Sequence, residues 1–420
     1  MTSKSNDRIV FHIDVNSAYL SWEAVYRLQH GEKTDLRDIP SVVGGDPKTR
    51  HGIVLAKSIP AKKYKIKTGE TLYAACKKCP NLTIVSPSYG LYMKCSNEMI
   101  GILREYCENV QRFSVDECFM DMSNMDHIHG NPIEAAYRIK DRIYRELGFT
   151  VNIGISHNKL LAKMASDLKK PNMVHTLFPN EIEEKMWPLP VNELFMVGPA
   201  TAPKLRSMGI YTIGDLAKTD IGTLRYRLKS HGDMIWKYAN GIEDSSVRVV
   251  SAAGMKGLGN STTISFDVKN KETAHLILLS LTEMTSMRLR DSGRMCTLVA
   301  VSVKTHEFHN YSHQRKLYAA TDCTKEIYSI VKSLFDEVWD GTKLRHLGIR
   351  LSGLVENENY QTSLFDDRDK ERLRSLDSTI DEIRTRFGSK SIMRAGFLNS
   401  DVKPMTGGVY EDYPVMNSML

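Results

Sequence analysis

The pattern of apolar and polar positions predicts two short strands that carry acidic side chains. The first is the apolar run 9–13, which is followed by Asp14, and the second spans 113–121 and contains Asp116 and Glu117. A buried carboxylate is costly unless it has a cation or another partner. If the two strands are neighbours in one sheet, the three acids converge and suit Mg²⁺ shared with substrate phosphates. The pattern therefore indicates phosphoryl or nucleotidyl transfer.

Periodicities elsewhere predict further folded units. The predicted helices are 18–28, 135–147, 273–290 and 324–340, and the predicted strands are 53–56, 150–155, 260–264, 297–305 and 346–351. Strands that alternate with helices favour an α/β arrangement at the start of the chain and again near its end. Residues 175–243 are predicted to be helical, and 243–256 read as a linker.

Three ordered motifs resemble those of the Y-family translesion DNA polymerases, in the bacterial branch that includes DNA polymerase IV and UmuC-like proteins. They lie at 13–19, 114–119 and 152–166, and the last continues through 170–172. The resemblance covers the chain to about residue 354. It implies an α/β (α+β) right-hand polymerase with these parts: palm 1–25 and 81–174, fingers 26–80, helix-hairpin-helix thumb 175–242, linker 243–256, little finger 257–355 and C-terminal tail 356–420.

The same resemblance implies an activity. The chain would be a template-directed DNA polymerase that adds deoxynucleotides to a primer 3′ end, with low fidelity, without proofreading and in DNA damage tolerance. Two Mg²⁺ ions would be held by Asp14, the backbone carbonyl of Val15, Asp116 and Glu117. Tyr19 stands at the steric-gate position, where a ring would exclude a 2′-hydroxyl; the alternative role is a core aromatic. The expected partners are primer–template DNA, dNTPs and a sliding clamp, and the chain is expected to be a monomer.

Two lysines occupy the family positions that contact the triphosphate, Lys62 in the fingers and Lys170 in the palm. The chain departs from the polymerase IV pattern here, because Ile59 and Lys62 replace a tyrosine and an arginine found in many members. Lysine is a point charge without the bidentate fork of arginine. Asn16 replaces a common acidic residue and is not expected to ligate metal.

Two regions are predicted to hold DNA. The segment 194–205 has the form of a helix-hairpin-helix, in which Gly198 and Thr201 would present backbone N–H groups to a phosphate; an ordinary helical hairpin is the alternative. In the little finger, Lys304, Arg315 and Lys316 suit a phosphate track, and the alternative is a solvated sheet face.

The tail contains a short pattern that resembles the sliding-clamp binding pentapeptide of bacteria. Gln361 would fix the register while Leu364 and Phe365 enter an apolar pocket. A strand end or a helix staple is the alternative interpretation of so short a motif. A charged helix is predicted at 369–387, and a disordered end from 399.

Composition adds looser bounds. The net charge of +7 is compatible with a polyanionic partner without requiring one. Seven scattered cysteines, the lack of a signal segment and the lack of a long apolar stretch favour a cytoplasmic, nucleoid-associated protein without a membrane span. The pair Cys76 and Cys79 lacks a second pair at zinc-finger spacing.

Two other functions remain open at this point, a catalytically inactive DNA-binding subunit and a nucleotidyl cyclase, and primer extension would separate them from a polymerase.

Overall fold

A computed structural model gives the fold and describes residues 8–248, 255–357, 369–398 and 400–405. The strands are β1 Val10–Val15, β2 Ser41–Gly44, β3 Val54–Lys57, β4 Thr83–Val85, β5 Val110–Arg112, β6 Glu117–Asp121, β7 Val151–Ser156, β8 Val174–Thr176, β9 Gly257–Val268, β10 Arg294–Thr305, β11 Asn310–Thr321 and β12 Leu344–Glu356. The helices are α1 Ala18–Gln29, α2 Ile59–Lys63, α3 Leu72–Lys78, α4 Tyr89–Tyr106, α5 Asp126–His129, α6 Pro132–Leu147, α7 Lys159–Asp167, α8 Ala202–Arg206, α9 Ile213–Lys218, α10 Ile221–Leu228, α11 Ser230–Ala239, α12 Lys271–Asp291, α13 Thr324–Val338 and α14 Asp369–Phe387.

The sheet of the predicted palm has the order β5-β6-β1-β7-β8. Strand β1 lies between β6 and β7 and pairs with both in antiparallel fashion. All six residues of β1 are buried, because helices cover both faces of the sheet. The apolar side chains of α1, α4 and α6 pack on one face, and α7 packs against β1 and β7 on the other. The prediction that the two acidic strands are neighbours in one sheet is thus confirmed.

Gly154 lets α7 lie close to the sheet. A Cβ atom at this position in β7 would overlap the carbonyl oxygen of Ala162 and the backbone nitrogen of Ser166, both on α7. These neighbours are backbone atoms and have no rotamer that relieves the overlap. The close approach brings the side chains of α7 within reach of the acidic strands.

The fingers form a separate small unit. Strands β3, β2 and β4 make a three-stranded sheet, and Val42, Val54, Ile66 and Leu72 form its core together with parts of α2 and α3. Arg50 of this unit donates a hydrogen bond to Asp267 of β9 over 2.8 Å, so the fingers contact the predicted little finger.

The second half of the chain contains two further units. Helices α8–α11 share one apolar core with parts of α7, as predicted for a helical thumb. The predicted little finger is a sheet of order β11-β10-β12-β9, with α12 and α13 packed on one face.

The C-terminal segment packs against the little finger through charged side chains. Arg290 of α12 pairs with Asp381 of α14 over 2.7 Å, and Glu283 of α12 pairs with Arg384 over 3.3 Å. Beyond α14, Phe397 and Val402 are buried in the apolar core of the little finger. The prediction of disorder from 399 is therefore wrong for residues 400–405, where apolar side chains find a partner surface that the local composition did not reveal.

We expect Gly154→Ala to destabilise the protein by about 3 kcal/mol, because the added methyl group forces α7 away from the sheet. Urea unfolding followed by circular dichroism measures the change. Gly101→Ala is the matched control: this glycine is exposed in the middle of α4, an added Cβ meets nothing within 4 Å, and helix propensity should stabilise the variant by up to ~1 kcal/mol. Equal stability of the two variants would contradict the packing argument.

Candidate active site

The three predicted acids lie together where β1 ends and β6 begins. Asp14 and Glu117 are direct partners across the two strands. The backbone N–H of Val15 donates to the carbonyl of Asp116 over 3.0 Å, which holds the turn before β6 against the end of β1. Asp14, Val15, Asp116 and Glu117 all line one cavity of about 480 Å³. The structure therefore brings together the whole predicted acidic set.

Burial acts on these acids in different ways. Desolvation raises the pKa of Asp14 and of Asp116, and the negative charge of Glu117 adds to the rise at both. Burial also disfavours ionised Glu117, but His12 and Lys163 more than offset it and lower its pKa to about 2. Glu117 is therefore the acid of the three that the protein itself holds firmly in the ionised form.

Each acid has a polar partner in the protein. Lys170 Nζ lies 2.8 Å from Asp14 Oδ2 and also 2.8 Å from Asp167. Lys163 Nζ donates to Glu117 Oε2 over 2.6 Å. Ser114 Oγ donates to Asp116 Oδ1 over 2.5 Å. Within the described ranges, no three acidic, histidine or cysteine side chains stand in a metal-ligating arrangement, and these partners hold the carboxylates instead.

The donor set nonetheless fits a divalent cation. Carboxylate oxygens are the ligands that Mg²⁺ prefers, and here three carboxylates reach one cavity from adjoining strands. Lysines pair with two of the three acids, whereas Asp116 accepts its hydrogen bond from the neutral Ser114 hydroxyl. Burial and mutual repulsion raise the pKa of Asp14 and Asp116, and a bound cation would stabilise the ionised form of both acids.

Sequence reasoning assigned Lys170 but missed Lys163. Lys163 is only 7 % exposed and comes from α7, whose residues lie in the third sequence motif. The available signal was a lysine among apolar residues on a helix that follows a buried strand, since such a lysine needs a buried acid as partner. Only the close packing of α7 on the sheet identifies Glu117 as that acid.

Tyr19 lines the same cavity from the first turn of α1. Its ring stacks on Tyr92, with centroids 4.3 Å apart and an interplanar angle of 14°, and it also meets Trp22 at 6.0 Å. Tyr92 is itself held by a buried hydrogen bond from its hydroxyl to Glu23. The ring therefore packs on aromatic neighbours and also lines the cavity, and its role as a steric gate stays a prediction.

The fingers form the opposite wall of the cavity. Lys62 contributes to this wall as predicted, and Lys57 and Thr68, which sequence reasoning did not assign, join it. Burial and the nearby charge of Lys62 lower the pKa of Lys57. Ile59 is 49 % exposed and is not among the lining residues of this cavity.

Asn16 connects the end of β1 to the loop that carries Lys170. Its side-chain oxygen accepts hydrogen bonds from the Thr150 hydroxyl over 3.0 Å and from the Asn172 backbone over 2.8 Å. Its side-chain nitrogen donates to Asn152 Oδ1 over 3.1 Å. A carboxylate could not make this last donation. The asparagine is therefore a structural link in this chain.

The predicted hairpin residues lie at the start of α8. The backbone N–H of Thr201 donates to the Gly198 carbonyl over 3.0 Å, and Gly198 is exposed with open space around it. The second half of the motif is capped reciprocally by Thr212 and Asp215 at the start of α9. The loop is exposed, but the N–H of Thr201 is bonded within the turn, so phosphate binding through Thr201 stays a prediction that requires this bond to open.

The three predicted basic residues of the little finger divide between two faces of its sheet. On β10, the side chains of Val299, Val301 and Val303 are buried against the helices, so the residues that alternate with them point to the other, open face. Lys304 is one of these residues, and Lys316 of β11 pairs with another, Leu298, so both lysines lie on the open face. Arg315 pairs with Val299 and lies on the face that carries α13, where it donates hydrogen bonds to Glu337 and Ser333. Arg315 therefore does not share a face with the two lysines.

Gln361, Leu364 and Phe365 lie outside the described residues. In the part of the chain that the structure describes, no helix is both long enough and apolar enough to span a membrane.

Known protein families match this chain in three successive regions. Sequence profiles match at 13–167 (impB/mucB/samB family), 179–210 (IMS family HHH motif) and 255–364 (impB/mucB/samB family C-terminal domain). Proteins named DNA polymerase IV are similar: that of Clostridium acetobutylicum is 48% identical over 94% of this chain and 100% of its own, and that of Acetivibrio thermocellus is 39% identical over 94% and 98%. The DNA polymerase IV 2 of Bacillus subtilis is 35% identical over 94% of this chain and 95% of its own.

A solved structure shows the same fold. A Y-family DNA polymerase chimera superposes with a TM-score of 0.71 at 21% identity and covers 83% of this chain and 100% of its own. Together with the match to the helix-hairpin-helix motif at 179–210, this likeness supports the predicted right-hand architecture. Taken with the acidic cavity, these matches decide against a nucleotidyl cyclase. The chain belongs to the Y-family DNA polymerases, in the DNA polymerase IV group.

Proposed function

We propose that this chain, a translesion DNA-directed DNA polymerase by its family, joins deoxynucleotides to a primer 3′ end with two Mg²⁺ ions. The observation that carries the proposal is the convergence of Asp14, Asp116 and Glu117 on one cavity whose opposite wall bears Lys57 and Lys62. Acids and lysines that face each other across a cleft suit a nucleoside triphosphate, since the acids can hold its metal ions and the lysines its phosphates. Y-family DNA polymerases are metal-dependent nucleotidyltransferases.

The acids would hold the metal ions. Asp14, Asp116 and the carbonyl of Val15 would hold the ion that accompanies the triphosphate, and Asp14, Asp116 and Glu117 would hold the second. When bound, Mg²⁺ lowers the pKa of the primer 3′-hydroxyl and neutralises charge on the phosphates. The protein keeps the acids apart from bulk water and oriented toward the cavity, so that catalysis is mostly positioning.

The lysines would exchange partners during nucleotide binding. Lys170 pairs with Asp14 in this structure, which offsets the negative charge at that acid. A phosphate oxygen then takes the place of Asp14 at Lys170, while Lys57 and Lys62 contact the triphosphate from the fingers. Contacts between ammonium groups and phosphate oxygens are charge-assisted and therefore stronger than hydrogen bonds between neutral groups.

Tyr19 would select the sugar. Its ring is fixed by Tyr92 and Trp22 and faces the cavity, so it has little freedom to move away from a 2′-hydroxyl. A ring that is held by its neighbours discriminates better than one that can rotate, because a movable ring would yield to the larger ribose.

DNA binding would involve the thumb and the little finger. The exposed Gly198 loop offers backbone N–H groups to one phosphate, and Lys304 and Lys316 on the open sheet face attract others. Such contacts position the duplex without reading its sequence. The proposal is completed by low fidelity without proofreading, by a role in damage tolerance, and by action as a monomer at the nucleoid in the cytoplasm.

The tail would tether the polymerase to a sliding clamp through Gln361, Leu364 and Phe365. Tethering raises the effective concentration of a polymerase at its primer. This part of the proposal rests on the sequence pattern and on its place just after β12. A direct binding assay between the purified chain and a bacterial clamp tests it, and no measurable binding would remove it.

Asp116→Asn and Glu117→Gln should each reduce primer extension by at least ~100-fold, because they remove a charged metal ligand. Single-nucleotide incorporation under Mg²⁺ measures the rate, and DNA affinity should stay near that of the parent. Asp121→Asn is the matched control: this acid lies on the same strand, accepts hydrogen bonds from Ser123 and does not line the cavity. Extension by Glu117→Gln at the rate of Asp121→Asn would refute the assignment.

Tyr19→Ala should raise the ratio of rNTP to dNTP incorporation by at least ~10-fold, because it removes the ring that would clash with a 2′-hydroxyl. Steady-state kinetics with rATP and dATP opposite template thymine give the ratio. Tyr26→Ala on the same helix is the control, since Tyr26 is 43 % exposed and its ring lies on His30. If both variants keep the ratio of the parent, Tyr19 serves packing alone.

Neutralising Lys304 and Lys316 together should weaken binding to all DNA sequences and reduce the slope of log K against log salt by about two. Fluorescence anisotropy with a labelled primer–template across a salt series measures that slope. Arg315→Ala serves as the comparison, because its guanidinium is engaged with Glu337 on the opposite face and should leave the slope nearly unchanged. A larger effect from Arg315 than from the two lysines would reverse the assignment of faces.

A further inference from the structure

Lys163 is a buried cation between two aromatic rings. Its ammonium group lies 5.2 Å from the ring centroid of Phe113 and 5.6 Å from that of Phe195. The two rings are themselves 6.1 Å apart. A cation that is desolvated beside aromatic rings gains from cation–π attraction, so these rings restrict where the ammonium group can lie.

The same ammonium group holds one oxygen of Glu117. Lys163 Nζ donates to Oε2 over 2.6 Å, and His12 Nε2 lies 3.5 Å from that same oxygen. Lys163 therefore makes the closer of the two contacts with this oxygen. Because Lys163 holds Oε2, rotation of the Glu117 carboxylate is restricted. Glu117 also lines the cavity, and its other oxygen is not used in this contact.

The second ring belongs to the thumb. Phe195 packs against both the thumb core and the small apolar cluster that contains Phe113 and Phe119 of the palm. It stacks on Tyr238 of α11 at 6.3 Å. It also stands three residues before Gly198, the exposed loop residue of the hairpin. The thumb thus touches the cation that holds Glu117.

We propose that Lys163 is a positioning residue for Glu117 and that Phe195 of the thumb keeps Lys163 in place. This inference rests on the proposed function, since it takes Glu117 to be a metal-binding acid of the polymerase. It extends that function by linking the thumb, which would follow the DNA backbone, to the orientation of one carboxylate in the active site.

The test is Lys163→Met, which keeps an unbranched apolar chain between the rings and removes the charge. We expect kcat for single-nucleotide incorporation to fall about ten-fold through misorientation of Glu117, with KM for dNTP and DNA affinity changed less than two-fold. Binding of Mn²⁺ to the protein alone, followed by electron paramagnetic resonance, should be no weaker than in the parent, because a positive charge near the acids is gone. Loss of Mn²⁺ binding together with activity would overturn the proposal by showing that Lys163 merely keeps the site folded.

Lys159→Met is the matched control. Lys159 lies one turn earlier on α7, is 2 % exposed, and faces Gln111 at 3.4 Å and the Phe119 ring at 5.8 Å. Loss of this buried lysine should lower the unfolding temperature but leave kcat within two-fold of the parent. A fall in kcat equal to that of Lys163→Met would overturn the proposal, because general loosening of α7 would then explain both.

The role of the thumb is tested by a double-mutant cycle. Phe195→Leu should lower kcat about three-fold, and the double variant with Lys163→Met should be no slower than Lys163→Met alone, since Phe195 acts through the lysine. Additive effects would overturn the link to the thumb. An active Glu117→Gln variant would refute the proposed function itself, whereas an inactive Glu117→Gln with a fully active Lys163→Met would refute only this inference.

Discussion

Mutual repulsion among three partly buried carboxylates is the constraint on which the palm depends. Asp14, Asp116 and Glu117 meet at the joined ends of β1 and β6, where water is too scarce to screen them fully. The protein offsets the repulsion with Lys170, which pairs with Asp14, and with Lys163, which pairs with Glu117, while Asp116 accepts a hydrogen bond from Ser114. A divalent cation bound among the three acids, as proposed above, would offset the rest of this repulsion.

The two lysines reach the acids because of how the chain packs behind the sheet. Gly154 allows α7 to approach β7 closely, and α7 carries Lys163. The loop after α7 carries Lys170 and is tied to the end of β1 by Asn16. Backbone packing and a buried amide thus set the electrostatics of the cavity, and a change in either would act on the acids from a distance.

Charge also organises the second half of the chain, but with a different result. Helix α14 docks on α12 through ion pairs that include the buried Asp377 and Arg384. Removing one partner of such a pair is costly, because it leaves an uncompensated charge. On the opposite side of the same unit, Lys304 and Lys316 lie on the sheet face that carries none of the described helices. The described part of the little finger therefore carries its paired charges on the helix-covered side and these two lysines on the face where we propose that DNA binds.

The sequence by itself determined the order of units and the identity of the acidic site, because strand and helix periodicity and three ordered motifs are local properties of the chain. It also predicted that Tyr19 and Lys62 lie at this site, because Tyr19 ends the first motif and Lys62 belongs to a basic segment. Tertiary structure alone decided which side chains these residues contact. The pairing of Lys163 with Glu117, the placement of Arg315 on the helix-covered face and the docking of α14 each depend on packing between segments distant in sequence, and no local pattern specifies such a partner.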